Sequence, residues 1–415
     1  MSNTNIDVAI GIDNGNGYEK AKAKIGDVEI QVDMPACVAG LVAGLNVKDT
    51  PSDAYMDTIF NRMICQFNSH LVKSNRFFAF GNSAIASSHH LTEFDINDKN
   101  LSKAQQELST LLTLGTIAGC VLKDYWDKNN QLPEDVLKVN ATAALALPID
   151  EFLIHRESFS QKFCQAVHEV TISNFEQNVH IQITFSNKVI ILPEGVSAQH
   201  AIQTHGVKLV EAMLADMRSR NFDLPTSLTA EKILKFKNTL GIDIGEGTTN
   251  LAVIIDGVYN QFLSSTLQKG FGTMVEQALP AIQRANLPFS TRKSVINFLM
   301  KQDNDFNEFN ESRKRTIIDI INEESIDLVD AICSKVSQIL NTENIIEAIF
   351  VYGGGSTPLK ELLYDKLFAK TQTVDGGVAI PILYLDSSYA RHLNRAGLYD
   401  EAIAAYKKSQ KAKIA

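Results

Sequence analysis

Nothing in this chain of 415 residues approaches the ~20 consecutive apolar residues that a bilayer crossing needs. The longest such run, at 111–122, is short and is interrupted by threonine and glycine. The opening Met-Ser-Asn-Thr-Asn-Ile-Asp lacks the basic start and apolar stretch of a secretory signal, so a cytoplasmic protein that avoids membranes is expected. Cysteine is sparse. Cys37, Cys65, Cys120, Cys164 and Cys333 are odd in number and far apart, with no C-x-x-C pair. That excludes a disulfide framework or thiolate metal cluster and predicts buried free thiols in a reducing compartment. Three catalytic signatures are missing as well. Without G-x-x-x-x-G-K-[ST] there is no P-loop, and without G-x-S-x-G or H-E-x-x-H the commonest serine hydrolases and zinc proteases drop out. Basic charge is also in deficit, 39 Lys and Arg against 48 Asp and Glu for a net of −9. A broad surface for neutralising nucleic-acid phosphates is therefore not expected, and any DNA partner is met indirectly.

What is present is ordinary globular material, 45% hydrophobic and 21% charged, long enough for two to four domains. A β-branched strand at 8–13 stops at an Asn-Gly-Asn-Gly turn and resumes with alternating character at 18–25, which reads as a hairpin. Gly, Pro, Asn and Ser clusters over 33–100 suggest an inserted subdomain. The spacing of Leu108, Leu111, Leu112, Ile117 and Val121 predicts a helix over 101–129 with Ser102 as N-cap, its apolar stripe facing the core. A strand over 136–147 should end at Pro148. Then come a helix over 159–170, a hairpin-like pair at 178–192 and a helix over 198–219, with a break at Leu224-Pro225. Such alternation marks an α/β architecture.

The chain repeats itself once. Gly11-Ile12-Asp13-Asn14-Gly15-Asn16-Gly17 and Gly241-Ile242-Asp243-Ile244-Gly245-Glu246-Gly247 agree at five of seven positions. Each copy follows an apolar strand and precedes a second strand, as in a duplicated α/β domain. A strand that ends in aspartate and turns through two glycines sets a carboxylate beside unobstructed backbone N–H groups, which can cradle phosphate. Two such turns can grip a polyphosphate while Asp13 and Asp243 hold the waters of a Mg²⁺ ion, which needs only one or two carboxylates. A third cluster, Gly353-Gly354-Gly355 at a strand end, allows the backbone close approach to the base and sugar of a nucleotide.

These three segments resemble the phosphate-1, phosphate-2 and adenosine motifs of the actin, heat-shock-70 and sugar-kinase ATPase superfamily. Within it, Ala146-Leu-Pro148 and Ile191-Leu-Pro-Glu194-Gly-Val-Ser-Ala198 look like segments of bacterial plasmid-segregation actins of the ParM/StbA type. The resemblance implies an α/β fold of two actin-like (ribonuclease H-like) domains flanking a nucleotide cleft. Domain I would span 1–237, with an insertion over 33–100, and be completed by a C-terminal helix over 386–415. Domain II would span 238–385, with an insertion over 285–330. It implies ATP as the nucleotide, with GTP left open, and magnesium organised by Asp13 and Asp243. Gly15, Asn16, Gly17, Lys20, Gly245, Glu246, Gly247, Thr248 and Thr249 would line the phosphates, and Gly353, Gly354 and Gly355 the nucleoside. Glu194 would position and polarise the attacking water, joining Asp13 and Asp243 in catalysis. Asn16 stands where actins usually carry serine.

The implied activity is ATP hydrolysis coupled to polymerisation. The chain would form a homopolymer filament that moves plasmid DNA through a small centromere-binding adaptor protein. The alternative is a non-filament ATPase of the same superfamily, either chaperone-like or a small-molecule kinase. Only a short tail follows the segment 386–397, which counts against a chaperone with its substrate-binding domain, and no distinct catalytic aspartate stands out for a kinase. The basic tail at 406–413 reads as a solvated end.

Overall fold

The computed structural model of the chain describes residues 5–42, 48–73, 76–87, 89–96, 101–185, 188–220, 227–299, 308–343, 345–371, 379–385 and 387–414. The break expected at Leu224-Pro225 lies outside these residues. The chain divides into two compact units, one of Met1–Pro193 with Asn394–Ala415, the other of Glu194–Leu393. Both are α/β.

The first unit is built on one sheet. Its strands are β1 (Ile6–Asn14), β2 (Tyr18–Ile25), β3 (Val28–Pro35), β4 (Cys37–Leu41), β5 (Ile64–Asn68), β6 (Phe77–Phe80), β7 (Leu91–Glu93), β8 (Leu137–Leu147), β9 (His168–Ile172), β10 (Val179–Thr184) and β11 (Ile190–Pro193). They run in the order β3-β2-β1-β8-β10-β9-β5-β6-β4-β7, with β11 also on β8. Parallel pairing of β1 with β8 accounts for their continuously buried stretches, Val8–Asn14 and Ala141–Leu147, because a strand covered on both faces has no solvent side to alternate with. By contrast β2 alternates, burying Glu19, Ala21, Ala23 and Ile25. The segment read as an inserted subdomain contributes β4 to β7 to this same sheet. The helix Leu393–Ile414 returns to this unit, setting Leu398 and Ala402 against Ala144 and Ala146 of β8.

Several boundaries differ from the sequence reading. The first long helix begins at Glu107, not near 101, because Ser102 spends its hydroxyl on Gln105 in a separate turn and Gln106 stands at the N-cap. The helix placed at 159–170 is Ile149–Phe163, followed by β9. The pair at 178–192 is no hairpin, since β10 and β11 each lie parallel to β8. Cys164 is exposed, at the C-cap of the helix before it, while the other four thiols are buried as expected. Among the described residues, no helix is long and apolar enough to cross a membrane.

The second unit has a smaller sheet of β12 (Thr239–Ile244), β13 (Thr249–Ile255), β14 (Val258–Tyr259), β15 (Ser265–Leu267), β16 (Ala348–Tyr352) and β17 (Ile382–Tyr384). The order is β14-β13-β12-β16-β17, with β15 on β13. Its apolar face packs on the helices Phe271–Arg284 and Ile326–Thr342, with Leu240, Ile242, Met274, Val275, Ile332 and Val336 all fully buried. The single helix read over 198–219 is two, Val196–His205 and Val207–Ser219, parted at Gly206. Both belong with the second unit, so the compact units part at 193/194 and not at 237/238. Both helices bury apolar faces, and polar contacts tie them to that unit. Buried Gln199 donates to the Ala252 carbonyl at 2.8 Å and accepts from the Thr239 hydroxyl at 2.7 Å, and Lys360 donates to Asp216 at 2.6 Å.

Candidate functional site

In the first unit, β1 and β2 pair antiparallel with Asp13 opposite Lys20 and Asn14 opposite Glu19. The intervening turn closes through the Gly15 N–H, which donates to the Asp13 carbonyl at 3.0 Å, and Gly17 accepts from the Ala36 N–H. Lys20 Nζ lies 3.2 Å from Asp13 Oδ2, with Asp13 only 5% exposed. A carboxylate and an ammonium are thus held side by side at the end of a nearly buried strand, next to the partly exposed Gly15 and Asn16.

Behind this hairpin stands a stripe of hydroxyls that the sequence reading missed. On the helix Glu107–Asn129, Ser109, Thr113 and Thr116 are fully buried. Asn14 donates to the Thr113 hydroxyl at 3.2 Å, and the Thr116 hydroxyl donates to Glu19. Glu19 is fully buried, its Oε2 without a hydrogen-bond partner among the described residues. Burial pushes its carboxyl up to about 8, with Asp13 adding to the shift and the Thr116 hydroxyl opposing it. Alternation on β2 announced that position 19 faces inward, which was the available signal.

In the second unit, β12 and β13 pair with Asp243 opposite Asn250. The turn closes through the Gly245 N–H, which donates to the Thr248 carbonyl at 2.9 Å, while the Gly245 carbonyl accepts from the first residue of the helix Phe271–Arg284. Asp243, like Asp13, is 5% exposed. Gly353 lies against it in a left-handed conformation, φ +93°, and a Cβ there would stand 2.5 Å from Asp243 Oδ1 and 2.4 Å from the Ile244 carbonyl. Gly195, φ +84°, sits on the other flank, where a Cβ would lie 3.6 Å from that of Asp243. Glu194, just before it, is buried and accepts from Asn250 Nδ2 at 2.9 Å. The Tyr352 hydroxyl donates to the Gly195 carbonyl at 2.6 Å, and burial beside Asp243 holds that phenol well above its ordinary range.

Within this unit the structure therefore brings Glu194, Asp243, Gly245, Gly353 and Gly355 together. Four members of the predicted set are engaged by the chain itself. Thr249 is fully buried and its hydroxyl donates to the Lys269 carbonyl, unlike the partly exposed Thr248. Glu246 lies over the start of the helix Phe271–Arg284, its carboxylate 2.9 Å from the Arg292 guanidinium. In the triple glycine, the chain itself accounts for two bare positions: Gly353 packs on Asp243 and Ile244, and Gly355 on Phe271 and Ile244. Only Gly354 is exposed. Asp13 and Asp243, each within its own unit, are hard oxygen donors at nearly buried strand ends, the donor type that suits a magnesium ion keeping most of its waters.

No family model matches the chain, and no curated protein matches it significantly. Solved structures do. Actin-like protein Alp7A superposes with a TM-score of 0.62 at 15% identity, covering 99% of each chain. A 15-stranded ParM filament from Clostridium botulinum gives a TM-score of 0.58 at 18% identity, covering 97% of this chain and 99% of that one. An archaeal actin homologue gives 0.57 at 16% identity, covering 96% and 99%. At these identities the likeness is one of fold, and it runs along almost the whole chain: the architecture is that of actin homologues and ParM- and Alp7A-type actins.

Proposed function

We propose that this protein is a nucleotide-dependent, filament-forming actin-like ATPase that segregates plasmid DNA through an adaptor protein. The observation that carries the reading is the repeated hairpin, which sets one nearly buried aspartate beside a glycine turn in each of two α/β units. The actin-like fold supports nucleotide binding, and the fold's likeness to a ParM filament subunit supports assembly. In this reading Asp13 and Asp243 hold magnesium through its waters, and that ion, when bound, neutralises charge on the phosphate oxygens. Lys20 and the backbone N–H groups of Asn16, Gly17, Gly247 and Thr248 bind the phosphates, while Gly15 and Gly245, whose N–H groups close the turns, keep the approach clear of side chains. Exposed Gly354 offers open backbone to the nucleoside. Glu194 orients and polarises the attacking water. Phosphoryl transfer asks little covalent work of a protein, so positioning and charge stabilisation are what these residues supply.

The test is sedimentation and light scattering of micromolar protein on adding Mg-ATP, alongside phosphate release. The expected result is a pellet that forms with triphosphate and dissolves as it is consumed. Turnover without polymer would favour a non-filament ATPase. Absence of both nucleotide binding and polymer would overturn the reading. Binding of the pure protein to plasmid DNA at physiological salt would remove the adaptor.

A further inference from the structure

Glu194 opens the second unit on a turn, followed by Gly195 in the left-handed region. A glutamate there has three side-chain torsions to lose before it can aim at a water, and freezing them costs up to about 2 kcal/mol. The structure meets that cost from the neighbouring sheet. Asn250, 1% exposed, faces Asp243 across the β12–β13 ladder and Thr266 across the β13–β15 ladder. Its Nδ2 donates to Glu194 Oε2 at 2.9 Å, and its Oδ1 accepts from the Thr266 hydroxyl at 2.7 Å. Thr266 thereby fixes which end of the amide faces the glutamate. All three residues lie in one compact unit. Asparagine suits the position because it supplies a donor without a charge, whereas an aspartate of the same shape would turn an acceptor towards a carboxylate.

We propose that Asn250 is the positioning residue of Glu194, its amide locked by Thr266 so that the carboxylate is held at one angle for the water. This inference rests on the reading of Glu194 given above and adds the residue that makes it work. It is a role exerted through Glu194, not by contact with nucleotide.

The experiment is a double-mutant cycle on the full-length protein, with kcat and KM for Mg-ATP measured for Asn250→Ser, Asn250→Asp, Glu194→Gln and Asn250→Ser combined with Glu194→Gln. Expected are a tenfold or greater fall in kcat for Asn250→Ser with KM within about twofold, and a fall at least as large for the isosteric Asn250→Asp, which keeps the packing but loses the donor. In the Glu194→Gln background, Asn250→Ser should have little further effect. Thr266→Val leaves Asn250 in place and should lower kcat by a smaller factor, which keeps the proposal open to failure if the Asn250→Asp variant does not fold. Independent, multiplying effects of Asn250→Ser and Glu194→Gln would overturn it, as would wild-type kcat in Asn250→Ser or Asn250→Asp while Glu194→Gln is slow. If Glu194→Gln itself turns over at the wild-type rate, the reading of Glu194 fails first and this inference falls with it.

Discussion

The two copies of the Gly-Ile-Asp hairpin are alike in burial position by position through Gly11–Gly17 and Gly241–Gly247, yet they hold their aspartates by different means. In the first copy the means are electrostatic and polar. Asp13 faces Lys20 across the strand pair, and a layer of helix hydroxyls with the buried Glu19 lies behind it. In the second copy close packing stands out. Bare backbone at Gly353 and Gly195 closes on Asp243, with the fully buried ring of Tyr352 pinning the turn that carries Glu194. Even the matching first glycines differ. Gly11 makes room for the backbone of the C-terminal helix at Tyr399, and Gly241 for the ends of the Tyr352 and Gln199 side chains. The strand–turn–strand unit is common to both. What packs against each copy differs: the first keeps an ammonium beside its aspartate, and the second holds the buried carboxylate of Glu194, for which the water-positioning role is proposed.

The largest expected effect tests that division directly. Glu194→Gln should lower kcat by about two to four orders of magnitude with nucleotide affinity nearly unchanged, the range for loss of a group that acts on the reacting proton. Single-turnover phosphate release measures it, and near-wild-type turnover would take the catalytic role out of the second copy. Next is the steric claim. Gly353→Ala forces a side chain into a left-handed conformation and onto the Ile244 carbonyl, and should cost about 2–4 kcal/mol of stability, whereas Gly354→Ala, with only Arg391 Cβ at 4.0 Å, should cost less than about 1. Urea midpoints for the pair decide it, and equal costs would erase the contrast between the copies.

The polar layer behind the first copy predicts a pH signature. Glu19 ionises near 4.5 when unfolded and near 8 when folded, so between those values only the unfolded chain has shed the proton. Stability contributed by the protonated form is fully present below 4.5 and drains away as pH rises towards 8, by up to about 1.4 kcal/mol per pH unit. Glu19→Gln should remove that slope, so its stability advantage over wild type grows from pH 5 to pH 8 in denaturant titrations; parallel curves would show that the layer is not the proton-holding element of the first copy. Smallest is the effect of cutting the second copy's ion pair. Arg292→Gln removes the ion pair to Glu246, with the neighbouring one to Glu276, but should change stability by less than about 1 kcal/mol, as partly exposed pairs generally do. A loss of several kcal/mol would mean that charge, not close packing, holds the second hairpin as well.

Much of the site was legible because its chemistry is local. Asn-Gly-Asn-Gly and Gly-Glu-Gly favour turns, the flanking β-branched residues favour extended backbone, and the agreement of two heptapeptides reveals the repeat with no knowledge of packing. The α/β class followed from the same alternation. Position 353 shows where such reading stops. A run of three glycines signals that something approaches the backbone closely, and the approaching groups at Gly353 and Gly355 are the chain's own Asp243, Ile244 and Phe271. The pairing at 178–192 misled for a related reason: two short apolar strands close in sequence look like a hairpin, and only β8 lying alongside both shows that each is a parallel partner.

By itself the amino-acid sequence determined the two aspartate-ended hairpins, the apolar strands that lead into them and the globular, acidic character of the whole, since each follows from torsional preference and hydropathy within a few residues. Tertiary structure alone decided that residues 194–237 travel with the second unit, that Glu194 rests on Asn250, and that Glu19 is sealed against a row of hydroxyls on the helix Glu107–Asn129. Those facts depend on which surfaces exclude water from one another across long stretches of chain, and no local preference encodes that distance.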